Sequence, residues 1–203
     1  MRTDLLLVRH GQVDAVWRTR IYGCLDVPLS DHGRWEARRA AQFLEAEPVD
    51  AVVSSGLSRT RYGAEWIARK RGLEVEHDAG LREIERGDWA GMTFAELAQR
   101  EPGAIEAWRA AAWTTSPPHG ESMGDLAARV TPVLDGLAER FPRGQVAVVA
   151  HSHVLRAAIA RAVGQDESMT MDLPTGSILA LDWTVDGPVQ VRWTQLFPEE
   201  ASE

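Results

Sequence analysis

The sequence predicts an α/β fold, a three-layer sandwich in which a mostly parallel central sheet carries helices on both faces. Short apolar runs occur at residues 5–8, 49–54 and 146–150, and runs of this length are typical of strands buried on both faces. Stretches with apolar residues at three- and four-residue intervals alternate with these runs, which predicts a sheet between two helical layers. We expect residues 1–203 to form one domain.

The first two elements are a buried strand and a helix. The strand at residues 5–8 leads into a polar loop from Val13 to Ser30. Ser30 is typical of a helix cap. The helix that follows is expected to run to about Glu47, because Pro48 cannot continue it.

A second strand and helix repeat this arrangement. The strand at residues 49–54 passes through Ser55-Gly56 into a helix predicted for residues 57–71. Residues 73–76 are a candidate third strand. The step from strand through glycine to helix is typical of an anion site, because the helix amides face the incoming ligand.

The segment at residues 85–121 is predicted to be a helical lid insertion. The segment begins within a loop at residues 81–91. It then contains a helix capped by Thr93, a break at Pro102-Gly103 and a second helix that reaches about Trp113. Inserted segments of this kind commonly cover an active site. We therefore expect this lid to lie over the sheet.

The last third of the chain returns to regular strand and helix patterns. The clearest amphipathic pattern spans residues 122–141 and predicts a helix packed on the core. The remaining predicted elements are a strand at 146–150, a helix at 153–163, a hairpin of strands 178–184 and 189–195 around Asp186-Gly187, and an acidic tail at 198–203.

Net charge and cysteine content argue against several functional classes. The formal net charge is −8, and general nucleic-acid binding draws most of its affinity from basic surface. The single cysteine, Cys24, cannot form an internal disulfide and is typical of a reducing compartment. No apolar run approaches the roughly 20 residues of a membrane span. We expect a cytoplasmic protein with neither membrane nor nucleic-acid partners.

Two predicted strands each deliver a histidine to their carboxyl end. Arg9 and His10 follow the first strand, and His151 follows the strand at 146–150. Ligands of α/β sheets bind at this rim, so we expect the two imidazoles to share a site. Gly11 allows a sharp turn and a close approach of ligand to backbone. Arg59, on the first turn of its helix, is expected to join them, whereas Arg61 is expected to be solvated.

This set of side chains favours a phosphate group as the ligand. Guanidinium groups bind phosphate oxygens in bidentate fashion and stay charged. A neutral histidine can attack phosphorus as a nucleophile, and a second can stabilise the charge that develops on the oxygens. Glu83 can protonate the leaving oxygen if burial raises its pKa toward the working pH; Glu85 is the alternative donor.

Other chemistries fit the sequence less well. His10, His151 and His153 are possible zinc ligands, but the neighbouring arginines would repel a cation. No Gly-x-Gly-x-x-Gly follows the first strand, which argues against a dinucleotide site. No Gly-x-Ser-x-Gly elbow is present for a nucleophilic serine. We therefore expect no metal and no cofactor.

Five segments, in order along the chain, carry a resemblance to a known family. They are Arg9-His10-Gly11, residues 22–30, Ser54 to Thr60, residues 81–91, and Gly120-Glu121-Ser122 taken with Val149-Ala150-His151. Together they resemble the histidine phosphatase superfamily, in its phosphoglycerate-mutase-like branch, over nearly the whole chain.

The resemblance implies a role for each residue that matches. His10 becomes transiently phosphorylated, and Arg9, Arg59 and His151 form the phosphate pocket. Glu83 donates a proton and then activates water. No metal or organic cofactor is implied. The substrate-binding residues expected from the matched segments are Gly11, Gln12, Tyr22, Gly23, Ser152 and His153.

The chain also departs from the family pattern at several positions. Val16 stands where members often carry asparagine, Ser152-His153 stands where glycine often follows the second histidine, and Tyr62 replaces a common glutamine. For His153, the sequence leaves open whether the side chain contacts the substrate or has a structural role. The residues around Glu83 differ from the corresponding stretch of the cofactor-dependent mutases. This difference favours hydrolysis of a small phosphorylated metabolite. A cofactor-dependent phosphoglycerate mutase, or a binding protein without turnover, is the alternative, and a homodimer is possible.

Overall fold

Six strands form a single sheet within residues 2–196, the part of the chain that the computed structural model describes. They are β1 (Arg2–Arg9), β2 (Ala51–Ser54), β3 (Val75–His77), β4 (Gln145–Ala150), β5 (Ile178–Thr184) and β6 (Gln190–Gln195). Their order across the sheet is β3-β2-β4-β1-β5-β6. The first four strands are parallel, and β5 and β6 are antiparallel additions at one edge. The predicted mostly parallel sheet is confirmed.

Seven α-helices accompany the sheet within the same residues. They are α1 (Asp31–Phe43), α2 (Ser58–Arg69), α3 (Phe94–Arg100), α4 (Ala104–Ala110), α5 (Met123–Arg140), α6 (Ser152–Val163) and α7 (Gln165–Thr170). Helix α7 has no counterpart among the predicted elements. The other helices lie where the sequence places them, with ends that differ by a few residues.

Side-chain caps fix the starts of three helices. Ser30 accepts a hydrogen bond from the amide of Gly33 at the start of α1. Thr93 and Ser122 form reciprocal capping boxes with the third residues of α3 and α5. Each cap stabilises its helix by about 1 kcal/mol, and all three caps are visible in the sequence.

The alternation of side chains along β1 builds two cores. Leu6 and Val8 pack with the inward faces of α1 and α2. Leu5 and Leu7 pack on the opposite face, against α5 and α6. The central strands are therefore buried on both sides, which is why they appear in the sequence as continuous apolar runs. The predicted three-layer sandwich is confirmed.

Helices α3 and α4 lie in the segment predicted as a lid. Their residues Leu97 and Trp108 are buried in the same core as α5. The predicted acidic tail at 198–203 lies outside the described residues. None of the helices in residues 2–196 has the length and apolar character required to cross a bilayer.

Candidate active site

The register of β1 and β4 brings the two strand-end histidines together. The two strands are parallel neighbours, and Arg9 pairs with Ala150. The next residue of each strand is therefore His10 and His151, on the same rim of the sheet. Their ring centroids are 5.1 Å apart and their planes meet at 64°. The prediction that the two imidazoles share one site is confirmed.

The structure holds His10 as a neutral ring with one free nitrogen. The side chain is 3% exposed, and its Nδ1 lies 2.7 Å from the carbonyl oxygen of Gly11. A carbonyl oxygen only accepts, so Nδ1 carries the proton and Nε2 keeps its lone pair. Burial, and then the charges of Arg59 and Arg9, lower the pKa of His10 to about 3. At neutral pH the ring is therefore uncharged.

His151 is oriented by hydroxyl groups from the end of β2. Its Nε2 lies 2.8 Å from the hydroxyl oxygen of Ser55, which lies 2.8 Å from that of Thr60. Its Nδ1 is buried and has no hydrogen-bond partner within residues 2–196. Burial and the charge of Arg59 hold the pKa of His151 well below its usual value. The sequence analysis assigned no role to Ser55, although it follows β2 at the same rim.

Both predicted arginines are fixed beside the histidines. Arg59 is fully buried and donates to the carbonyl oxygens of Leu25 and Gly23 at 2.6 and 2.7 Å. Arg9 donates to the carbonyl oxygen of Leu173. The Nε atoms of both arginines are buried without a partner in the described part of the chain. Each guanidinium is thus anchored and still has donors left for a ligand, because arginine carries five N–H groups.

Glu83 is buried at the same site, but its pKa moves against the prediction. One carboxylate oxygen accepts from the amide of Ile84 at 2.9 Å, and the other lies 3.2 Å from Nδ1 of His153. Burial acts to raise the pKa of Glu83, but the His153 ring and these donors outweigh it and hold the pKa well below its usual range. Burial alone therefore does not bring the pKa of Glu83 toward the working pH, which was the condition for proton donation by Glu83.

A clamp formed by Arg129 and Glu121 holds the segment that carries Glu83. Arg129 donates to the carbonyl oxygens of Arg82 and Glu83 at 2.8 and 3.0 Å, and to Glu121 at 2.7 Å. Glu121 in turn accepts from the amide of Glu85 at 2.9 Å. Helix α5 thereby fixes the backbone on both sides of Glu83. The sequence analysis did not identify Arg129, because nothing in the helical pattern distinguishes it from a solvated cation.

A cleft of about 270 Å³ opens above this cluster. Four of the predicted substrate-binding residues line it, namely Tyr22, Gly23, Ser152 and His153. Arg86, Arg109 and Trp108 line it as well, and they belong to the segment predicted as a lid.

Gly11 and Gln12 do not line the cleft. A Cβ added to Gly11 would lie 2.0 Å from the carbonyl oxygen of Gly33, so this glycine permits close contact with α1. The amide of Gln12 donates to Glu36 at 2.6 Å. Both residues thus pack on α1, and their substrate contacts stay a prediction. Val16 is 58% exposed and contributes no polar group.

The zinc alternative does not assemble in the structure. Across residues 2–196, no group of three His, Cys, Asp or Glu side chains is arranged to hold a metal ion. His153 faces Glu83 and Arg86, and its Nε2 lies 3.0 Å from a guanidinium nitrogen of Arg86. A guanidinium group only donates, so this nitrogen of His153 is an acceptor.

Comparison with known proteins agrees with this geometry. The model of the histidine phosphatase superfamily (branch 1) matches residues 5–196. The glucosyl-3-phosphoglycerate phosphatase of Mycobacterium tuberculosis is 36% identical over 200 residues, which are 95% of this chain and 84% of that protein. Phosphoserine phosphatase 1 of Hydrogenobacter thermophilus is 33% identical over 164 residues, 81% of this chain and 78% of that protein.

Solved structures show the same fold. The native structure of mycobacterial glucosyl-3-phosphoglycerate phosphatase superposes with a TM-score of 0.86 at 31% identity, over 95% of this chain and 98% of that chain. The match of the family model and these relatives confirm the resemblance drawn from the five sequence segments. The chain belongs to branch 1 of the histidine phosphatase superfamily.

Proposed function

We propose that this protein hydrolyses phosphate monoesters of small metabolites through a phosphohistidine at His10. One observation carries the proposal. The Nε2 of a neutral, buried His10 lies in a cluster where Arg9, Arg59 and His151 each keep a buried nitrogen with no hydrogen-bond partner among residues 2–196. Such nitrogens are costly to bury unless a ligand accepts from them, and phosphate oxygens are suited to that role.

In the first half-reaction, Nε2 of His10 attacks the phosphorus atom and the bond to the leaving oxygen breaks. Arg9, Arg59 and His151 stabilise the charge on the phosphoryl oxygens. Glu83 transfers a proton to the leaving oxygen. Because a phosphate dianion beside Glu83 opposes its ionisation, substrate binding raises the pKa that is low in the unliganded site.

In the second half-reaction, water attacks the phosphohistidine and its proton passes to the Glu83 carboxylate. The bond between phosphorus and Nε2 breaks, which returns His10 to its neutral form and releases inorganic phosphate. Each group ends in the state in which it began. The two half-reactions require only side chains of this cluster and water.

The surroundings of the site complete the proposal. Helices α3 and α4, within residues 85–121, form one side of the cleft and act as its lid. A net charge of −8 argues against nucleic-acid partners and requires local cations to hold an anionic substrate. The single cysteine fits a cytoplasmic enzyme, and we propose no membrane partner. The homodimer considered from the sequence stays a prediction, to be tested by sedimentation.

The proposal is tested by phosphate release from p-nitrophenyl phosphate, without added bisphosphoglycerate. We expect steady turnover, together with an acid-labile phosphoprotein after rapid quenching. Isomerisation of phosphoglycerate with negligible phosphate release would establish the mutase alternative. Binding of phosphate esters without turnover between pH 5 and 8 would establish the binding-protein alternative.

A further inference from the structure

The outer end of the cleft holds an arginine that is fixed by an aromatic ring and a histidine. The guanidinium carbon of Arg86 lies 4.2 Å from the ring centroid of Trp108, and one of its nitrogens lies 3.0 Å from Nε2 of His153. The ring of Trp108 contacts His153 edge-on at 5.8 Å. Arg86 is therefore held in one position before any ligand binds, without a carboxylate to hold it.

Positive charge exceeds negative charge along this end of the cleft. Arg109 lines the cleft beside Arg86, and neither arginine has a carboxylate within ion-pair distance among residues 2–196. Burial lowers the pKa of Arg86, the charge of Glu83 acts to raise it, and the charge of Arg109 lowers it. Glu83, the carboxylate that lines the cleft, lies against His153.

The other arginine at this end differs from these two. Arg20 donates to the carbonyl oxygen of Gly91 at 2.8 Å and lies 3.8 Å from Glu96. Arg9 and Arg59 face the phosphoryl group with His10 and His151. Arg86 and Arg109 are therefore two cations beyond those required by a monoester with an uncharged leaving group, in a protein whose net charge is −8.

We propose that Arg86 and Arg109 form a subsite for a carboxylate carried by the leaving group of the substrate. The inference rests on the proposed phosphatase function and adds a substrate class to it, the phosphate monoesters of small hydroxy acids. Guanidinium groups recognise a carboxylate through paired, charge-assisted hydrogen bonds. The volume of about 270 Å³ is below the range of roughly 300–1,000 Å³ for sites of drug-sized ligands, which favours a small acid.

The subsite is tested with two substrates that differ in one group. The substrate 3-phosphoglycerate carries a carboxylate where glycerol 3-phosphate carries a hydroxymethyl group. We expect the wild-type protein to show a higher kcat/KM for 3-phosphoglycerate. In Arg109→Gln and Arg86→Met, the ratio of the two kcat/KM values should fall by about tenfold, mostly through KM, because a binding contact is lost.

Arg100→Gln is the matched control. Arg100 lies on α3 and pairs with Glu101, outside the lining of the cleft, so the substrate ratio should keep its wild-type value. A wild-type protein without preference for the carboxylate, or a ratio unchanged in both test variants, would overturn the subsite. A preference for a bisphosphorylated substrate over 3-phosphoglycerate would overturn the assignment to a carboxylate.

Failure of the subsite and failure of the proposed function give different results. If the wild-type protein does not hydrolyse p-nitrophenyl phosphate, the phosphatase function fails. The subsite is then measured by calorimetric binding of 3-phosphoglycerate and glycerol 3-phosphate to the wild-type protein and Arg109→Gln. A tighter wild-type Kd for 3-phosphoglycerate that Arg109→Gln abolishes would support the subsite, and equal Kd values would overturn it.

Discussion

The buried cluster at the strand ends and the lid side of the cleft are built in different ways. We call His10, Ser55, Arg59 and His151 the floor, and Arg86, Trp108 and Arg109 the wall. The floor residues are at most 3% exposed, and they follow the ends of β1, β2 and β4. The wall comes from α4 and the loop before α3, and Arg109 is exposed.

From this difference we expect the floor to set the rate of phosphoryl transfer and the wall to set the preference among substrates. In the proposed reaction, the floor groups, which are held by the sheet and by each other, act on the phosphoryl group that all substrates share. In the proposed subsite, the wall groups contact the part of the substrate that varies. A floor substitution should therefore lower turnover of every ester, and a wall substitution should change which ester is preferred.

The largest effect is expected for His10→Ala. Loss of the nucleophile should lower kcat by about 10⁴-fold or more with every substrate, and no phosphoprotein should form on rapid quenching. Phosphate release from p-nitrophenyl phosphate and glycerol 3-phosphate measures the effect. Near-UV circular dichroism serves as the control, because the fold should stay intact. Residual turnover of one ester within tenfold of wild type would show that another group attacks phosphorus.

The next largest effect is expected for Glu83→Gln, and its size should depend on the leaving group of the substrate. An alkoxide needs the proton of Glu83 far more than p-nitrophenolate does. We expect kcat for glycerol 3-phosphate to fall by about 10²- to 10⁴-fold, and the fall for p-nitrophenyl phosphate to be much smaller. Equal losses on the two esters would contradict a proton donor. The same measurement on Glu85→Gln tests the alternative donor.

Arg129→Ala should have a smaller effect through the position of Glu83. The variant loses the donors to the carbonyl oxygens of Arg82 and Glu83. A displaced donor should lower kcat for glycerol 3-phosphate by about 10- to 100-fold, with KM nearly constant and a smaller loss for p-nitrophenyl phosphate. Arg140→Ala, at the end of the same helix and paired with Glu76, is the control and should retain wild-type kcat.

A lower melting temperature without this dependence on the leaving group would give Arg129 a purely structural role. Arg129→Lys should restore little of the loss, because an ammonium group cannot reach the carbonyl oxygens and Glu121 together as the guanidinium fork does.

The contrast between floor and wall also explains what the sequence could predict. His10 and His151 directly follow apolar strands, and parallel strands end on one rim, so local pattern was enough to place them together. Arg86 and Trp108 meet His153 only through the packing of α4, for which no local pattern exists. The lowered pKa of Glu83 could not be foreseen, because burial can be inferred from a sequence, whereas the contact with His153 cannot.

The smallest expected effect is on the free energy of unfolding. Its dependence on pH distinguishes substitutions in the floor from substitutions in the wall. The pKa of His10 is about 3 in the folded protein and about 6.5 when the chain is unfolded. As the pH falls from 7 to 5, the unfolded chain takes up a proton at His10 and the folded chain does not, so His10 alone lowers the free energy of unfolding by about 2 kcal/mol. His151 and His153, whose pKa values are also lowered, add to this decrease. Glu83 has a lowered pKa, so its contribution is lost only below about pH 4.5.

His10→Gln removes this titration. Between pH 7 and pH 5, the decrease in its free energy of unfolding should therefore be about 2 kcal/mol smaller than the decrease for the wild-type protein. Urea unfolding at the two pH values measures the difference. Arg109→Gln changes the wall, which has no group that titrates between pH 7 and pH 5. The free energy of unfolding of this variant should therefore decrease by the same amount as that of the wild-type protein. Equal decreases for His10→Gln and the wild-type protein would mean that His10 titrates alike in the folded and unfolded chains, and the lowered pKa of His10 would then be excluded.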